Sequence, residues 1–187
     1  MAVFYTTVRQ EADVAQILAL QARNLPSVLS AEQARTQGFV TVQHDLEVLR
    51  RMNAAFPSVI AKDGETLAGY CLVMLPAFAP EVPILAPLFE RLEELIWRGR
   101  PLKQGGWFVM GQVCVAEAYR GQGVFDGLYR HLADVCSPHF DFVVTEVAER
   151  NTRSLRAHER VGFETFHRYD DPITGEHWHV IAWDFGR

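Results

Sequence analysis

The sequence predicts an α+β domain. Three observations carry that reading. An apolar run from Trp107 passes through a glycine-bearing turn, Tyr119-Arg120-Gly121-Gln122-Gly123-Val124, into an amphipathic helix that reaches Leu132 and beyond. Two apolar strand-like runs meet at Asp63-Gly64, a strong hairpin dipeptide. Helical and strand periods are interspersed along all 187 residues, with no internal repeat, low-complexity tract or linker.

The elements follow in order. Val3 to Val8 reads as a first strand. Glu11 to Arg23 places Val14, Ile17, Leu18 and Ala22 at helical spacing, and Asn24-Leu25-Pro26-Ser27 breaks the pattern. Short helices are expected over 31–36 and over Asp45 to Ala55, the second with Asp45 as N-cap. Ser58 to Lys62 and Thr66 to Leu75 form the hairpin strands. A proline-rich segment, 76–106, contains a helix expected around Leu88 to Arg98. Phe108 to Ala116 is a strand, Gly123 to Cys136 a helix, Phe140 to Val147 a strand and Thr152 to Arg160 a helix. Phe163 to Tyr169 and His177 to Phe185 close the chain as a hairpin.

The length suits one domain with a sizeable core. Hydrophobic residues make up 49% and charged residues 22%, the balance of a globular protein rather than of a membrane or disordered one. The net charge of −5 argues against binding nucleic acid through its phosphates and suits a cationic acceptor. No apolar run is long enough to span a bilayer, and Met1-Ala2-Val3-Phe4-Tyr5 leads straight into polar sequence, so a cytoplasmic protein is expected. Cys71, Cys114 and Cys136 are widely spaced in apolar surroundings and read as buried, reduced thiols. His177, Trp178 and His179 with His167 mimic a metal site, but histidines on a closing hairpin are more often plain polar positions, and no metal is expected.

The turn at Gly121–Gly123 has the parts of a backbone anion site. Glycine lets the main chain approach a ligand, and a helix N-terminus offers unpaired N–H groups in a favourable dipole. A second segment carries further pattern: Glu146 and Val147 at the end of a strand, then Asn151, then Ser154, Glu159, Arg160, Gly162 and Phe163.

Together the two segments resemble the GCN5-related N-acetyltransferase (GNAT) family. Val115, Tyr119, Arg120, Gly121, Gly123 and Val124 match the family's acetyl-CoA motif, and the second segment matches its downstream motif. The resemblance implies a layered α/β/α fold: a mixed, mostly antiparallel sheet with helices on both faces and splayed strands 4 and 5. It implies acetyl-CoA as cosubstrate, held by Val113, Cys114, Val115, Arg120, Gly121, Gln122, Gly123, Val124, Phe125, Asn151 and Arg153. It implies direct transfer of the acetyl group to a primary amine on a small molecule or peptide. Related N-terminal acetyltransferases carry a glutamate at the place of Glu146, which is therefore the candidate base; Glu117 and Glu149 are weaker candidates. Where the family has a tyrosine acid, twelve residues after Glu146, this chain has His158, whose histidinium could protonate the leaving thiolate. Phe125 replaces the small residue usual after Val124. Residues 76–106 are longer than the family's usual connection, so they read as an insertion beside the active-site cleft, either an acceptor-side wall or a surface decoration that covers apolar area. Family members often dimerise, which makes a homodimer a candidate assembly. An alternative from another class is a non-catalytic acyl-CoA-binding or sensing module on the same fold.

Overall fold

The structure, a computed structural model, describes residues 3–30, 32–33, 39–172 and 175–186. Seven strands form one sheet: β1 (Phe4–Thr7), β2 (Val59–Asp63), β3 (Thr66–Met74), β4 (Trp107–Val115), β5 (Phe142–Ala148), β6 (Glu164–Asp170) and β7 (His177–Asp184). Their spatial order is β1-β2-β3-β4-β5-β7-β6. Every neighbouring pair is antiparallel except β4 and β5. The helices are α1 (Glu11–Arg23), α2 (Leu46–Ala55), α3 (Ala86–Glu94), α4 (Val124–Cys136) and α5 (Thr152–Val161). The helix expected over 31–36 lies mostly outside the described residues.

Local chemistry sets the element ends. Asp45 caps α2, its carboxylate accepting the N–H groups of Glu47 at 2.8 Å and Val48 at 3.2 Å. The sequence expectation ran α3 to Arg98, because Leu95, Ile96 and Trp97 extend the apolar pattern. Instead the helix stops at Glu94, and Ile96–Trp97 folds back on Arg100–Pro101 as a two-residue ribbon. Arg98 (φ 48°) and Gly99 (φ 80°) are both left-handed, the geometry of a tight hairpin turn.

Each face of the sheet has its own core. On one side α4 lays Val124, Leu128, Tyr129, Leu132 and Cys136 over Val59, Cys71, Val73, Phe108 and Val143. On the other, α1 and α2 cover the β2–β3 half, with Ile17, Leu20 and Leu49 against Ile60, Tyr70 and Leu72. The 76–106 segment covers the rest of that face: Leu88, Phe89 and Leu92 of α3 pack with Trp97, Leu102, Val144 and Val180. It is therefore part of the core.

The β4–β5 pair is where the sheet opens. The two strands are paired from Trp107/Phe142 to Val109/Val144 and then diverge. β4 is irregular at that point. Leu72 faces Gln112 and Val73 faces Met110, which leaves Gly111 as the bulged residue. The Met110 carbonyl accepts the Thr145 hydroxyl at 2.8 Å, a side-chain bond at the fork of the two strands.

One buried ion pair fastens α1 to the sheet. Lys62 Nζ lies 3.0 Å from Asp13 Oδ1, with side-chain exposures of 8% and 4%. Asp13 Oδ2 also accepts the Arg9 and Gln10 N–H groups. Removing either partner should therefore have unequal effects. Asp13→Ala leaves the buried ammonium with only the exposed Glu65 carboxylate at 3.6 Å and should cost about 3 kcal/mol. Lys62→Met leaves Asp13 with its two backbone donors and should cost less. Urea unfolding of both variants measures the difference, and equal losses would contradict this account.

Candidate functional site

A cleft of about 730 Å³ runs along the end of β4 and the first turns of α4 and α5. One wall is the chain at Val113–Val115, and the floor is Gly121, Gly123, Val124 and Phe125. Gly121 (φ 73°) and Gly123 (φ 77°) are left-handed, and a Cβ built at either would meet nothing within 4 Å. That open space faces a helix start with no side-chain cap on α4. The N–H groups of the first turn lack intrahelical acceptors by construction, so this helix start has the parts of a backbone anion site.

The rim is basic. Arg153, Arg156 and Arg160 line the cleft from α5 at positions i, i+3 and i+7. Arg160 is paired with Asp126 at 2.8 Å. Arg120 acts as a tie: its Nε donates to the Val115 carbonyl at 3.0 Å and its Nη2 to Asn24 Oδ1 at 2.6 Å. It joins the end of β4 to the C-terminus of α1. Gln122 turns its amide back to the Ala118 carbonyl at 2.7 Å and is not among the lining residues.

A second, smaller cavity of about 70 Å³ occupies the gap between the diverging strands. Met110, Gly111 and Gln112 form one side, Thr145, Glu146 and Val147 the other. Phe39, Val40 and Val113 border both cavities, so the two adjoin at that edge. Phe39 in turn lies under the Arg150 guanidinium, 4.4 Å from ring centroid to Cζ. Asn151 lines the smaller cavity and caps α5, accepting the Ser154 N–H at 3.3 Å.

Glu146 and His158 both border the gap but come from opposite faces of the sheet. Glu146 is half-buried on the α2–α3 side. Tyr169 donates its hydroxyl to Glu146 Oε2 at 2.6 Å, and the Arg91 guanidinium sits over the Tyr169 ring at 3.9 Å. Burial pushes the Glu146 carboxyl up to about 7, against the opposing pull of the Tyr169 hydrogen bond and the Arg91 charge.

His158 is 1% exposed. Its Nδ1 lies 2.8 Å from the Ser154 carbonyl and its Nε2 2.7 Å from the Tyr129 hydroxyl. A carbonyl only accepts, so Nδ1 carries the proton, and Nε2 accepts from Tyr129. Burial lowers the imidazole to about 4. At neutral pH it is uncharged and has no proton on the nitrogen facing Tyr129. The histidinium acid expected from sequence does not suit this ring. The two departures from the family pattern also touch: Phe125 meets His158 edge-on at 5.2 Å and Tyr129 at 5.0 Å.

The remaining candidates disperse. His167 faces Val180 across the β6–β7 ladder and Arg168 faces His179, so His167 and His179 point to opposite faces. His177 is engaged with Asp170. Among the described residues no group of three metal-ligating side chains comes together. Burial raises Cys114 to about 11 and Cys136 to about 12, and Cys71 is likewise raised; none is poised as a nucleophile. No helix among the described residues is long and apolar enough to cross a membrane.

The arginine stripe on α5 was readable from its spacing. Asn24, Phe39 and Val40, which wall the cleft from the first half of the chain, have no local signal. Neither have Arg91 and Tyr169.

Comparison with known proteins fits this geometry. The model of the acetyltransferase (GNAT) family matches residues 25–163, and the chain belongs to that family. No curated protein matches the chain in sequence. Among solved structures it is similar to Ard1 from Thermoplasma volcanium (12% identity, TM-score 0.66, all of both chains covered). It is also similar to the ribosomal-protein-S18-alanine N-acetyltransferase from Escherichia coli (10% identity, TM-score 0.64, 100% of this chain and 96% of that one). A third is yncA from Salmonella typhimurium with its cofactor acetyl-CoA (13%, 0.64, with the same coverage).

The raised Glu146 carboxyl has a stability consequence. The native state holds its proton to about pH 7, the unfolded chain only to about pH 4.5. Stability from this group therefore falls as pH rises through that window. Glu146→Gln should stabilise the fold at pH 8.5 by up to about 3 kcal/mol and change little at pH 4. Urea denaturation at the two pH values reads this. A gain that does not grow with pH would show that the carboxyl is not held protonated.

Proposed function

We propose that this chain is an N-acetyltransferase that moves the acetyl group of acetyl-CoA directly to a primary amine. One observation carries the reading: a cleft with the parts of an anion site adjoins, at Phe39, Val40 and Val113, the gap between β4 and β5 that the half-buried Glu146 borders. The cradle fits the cosubstrate. Gly121 and Gly123 leave room for a pyrophosphate, the first-turn N–H groups of α4 point into that room, and the α5 arginines supply positive charge around it. Val113–Val115 would take the pantetheine arm along the free edge of β4, and Asn151 and Arg153 stand beside its route.

When bound, the thioester supplies the acetyl group. An ammonium acceptor gives up two protons on becoming an amide: one goes to the base, and the other goes to the CoA thiolate, which departs as the thiol as the C–S bond breaks. An alkylammonium ionises near pH 10, so the acceptor needs a base at neutral pH. Glu146 serves as that base. Tyr169 holds Oε2, while Oε1 has no hydrogen bond among the described residues and is free to take the proton. A carboxylate near pH 7 is a stronger base than a solvated one, and enough of it is ionised to work. His158 is a positioning residue in this reading. It fixes Tyr129 and supports Phe125 under the cradle and moves no proton.

The 76–106 segment is an insertion that walls the acceptor side, since α3 lies on the face from which Glu146 is reached. The acceptor is a small-molecule or peptide amine. Peptide N-termini belong first in any panel, because one structural neighbour is an alanine N-acetyltransferase.

Release of CoA thiol with a panel of amines tests the activity, and donor binding without amine-dependent thiol release would favour a sensing module. Gly123→Asp and Gly123→Asn separate charge from backbone, since both residues tolerate left-handed φ better than most. Asp should weaken CoA binding in calorimetry at least tenfold more than Asn; equal affinities in folded variants would refute the cradle. Glu146→Gln should lower kcat by ~10²–10⁴-fold with CoA affinity unchanged. Full activity would remove Glu146 as the base.

A further inference from the structure

The established family pattern gives a base position but nothing from 76–106, and α3 places one charged residue of that segment near the base. Arg91 lies in the middle of α3, and its Cζ is 3.9 Å from the centroid of the Tyr169 ring. Its Nε is buried and has no hydrogen-bond partner among the described residues. That part of the guanidinium is therefore held by the ring face rather than by an acceptor. The same ring carries the hydroxyl that donates to Glu146 Oε2 at 2.6 Å.

We propose that Arg91 is a positioning residue for Glu146: stacked on Tyr169, it fixes the ring whose hydroxyl holds one carboxylate oxygen and adds a positive charge behind the base. The inference rests on Glu146 being the base, as proposed above.

The geometry favours this over a packing role. Leu88, Phe89 and Leu92 already bury the apolar side of α3. An apolar residue at position 91 would cover the Tyr169 ring as well. A cation there does something further: it favours the ionised form of Glu146 against the burial that disfavours it. The other groups facing the carboxylate are few. Tyr169 of β6 donates to it. Asp171, in the turn after β6, repels it. His167 of β6 stacks 6.4 Å from the Tyr169 ring and is kept neutral by burial and by Arg91. Arg91 is thus the cation that offsets Asp171 and desolvation. Tyr169 transmits its orientation and Glu146 receives both effects. The residue that keeps the base usable at neutral pH therefore comes from the longer 76–106 connection.

The test is a direct titration of Glu146 by ¹³C NMR of the side-chain carboxyl in otherwise wild-type protein, with the resonance assigned by its absence in Glu146→Gln. Thermal melts establish that each variant is folded. Arg91→Met keeps the length and apolar contact and removes the charge. Arg91→Lys restores charge without the planar stack. Tyr169→Phe keeps the ring and removes the donor. The expected result is an upward move of the Glu146 midpoint by roughly one pH unit in Arg91→Met and in Tyr169→Phe, with partial return in Arg91→Lys. The acid limb of kcat/KM should move with it, and CoA affinity should stay unchanged. An unmoved midpoint in Arg91→Met and Tyr169→Phe overturns the proposal. Should Arg91→Met not fold, Arg91→Gln, which also removes the charge, decides in its place. The two readings separate cleanly. If the midpoint moves in the variants but the acid limb persists in Glu146→Gln, Arg91 tunes Glu146 and the base is elsewhere. If Glu146→Gln abolishes the limb and the variants leave it in place, Glu146 is the base and Arg91 is packing only.

Discussion

β4 and β5 hold together for three residue pairs, from Trp107/Phe142 to Val109/Val144, and then part. That parting organises the rest of the molecule. Beyond it β4 stays with β3, through Gly69↔Val115, and β5 stays with β7, through Ala148↔Trp178. Two half-sheets result, still tied together by the cores that cross from one to the other on each face. A parallel pair normally has its backbone groups satisfied along the whole shared length. Here the Gly111 bulge turns β4 away and the Thr145 hydroxyl satisfies the Met110 carbonyl at the fork. The edge of β4 that follows, no longer paired with β5, is the structural resource of the site, because it runs beside a helix start with no side-chain cap.

Burial sets the chemistry at the gap, and it acts in opposite directions on its two titratable walls. The carboxyl of Glu146 rises to about 7 and the imidazole of His158 falls to about 4. Both changes favour the neutral form, as desolvation does. For Glu146 the result is a carboxyl that titrates near neutral pH, with Tyr169 donating to it and the Arg91 charge opposing its burial. For His158 the result is a neutral hydrogen-bonded strut. The same two shifts give the fold opposite pH dependences. Ionising Glu146 weakens it as pH climbs from about 4.5 toward 7, and His158, neutral in the fold, weakens it as pH falls from about 6.5 toward 4.

Much of this was legible in the sequence where the determinants are local. The glycine turn, the Asp45 cap, the Asp63-Gly64 hairpin and the order of strands and helices from Trp107 onward depend on neighbours a few residues away. The cradle was legible for the same reason, with Val113, Val115, Gly121, Gly123 and Phe125 all on the cleft wall. What was not legible depends on tertiary approach. Asn24, Phe39 and Val40 reach the cleft from the far half of the chain, and Tyr169 meets Glu146 across 23 residues. His158 was misjudged as a histidinium because an isolated imidazole titrates near neutrality, and only its burial against Tyr129 and Phe125 changes that. The end of α3 was misplaced because apolar spacing continued through Trp97 while the Arg98–Gly99 turn had already reversed the chain.

The central claim is that β4 has an open edge after Val109 that the donor occupies. Amide hydrogen exchange followed by NMR tests it most directly. In the free protein, amides of residues 110–115 that point away from β3 should exchange much faster than those of 107–109, and saturating acetyl-CoA should slow them along with the first-turn amides of α4. Uniform protection along the whole of β4 before any donor is added, or no change on adding it, would contradict the account.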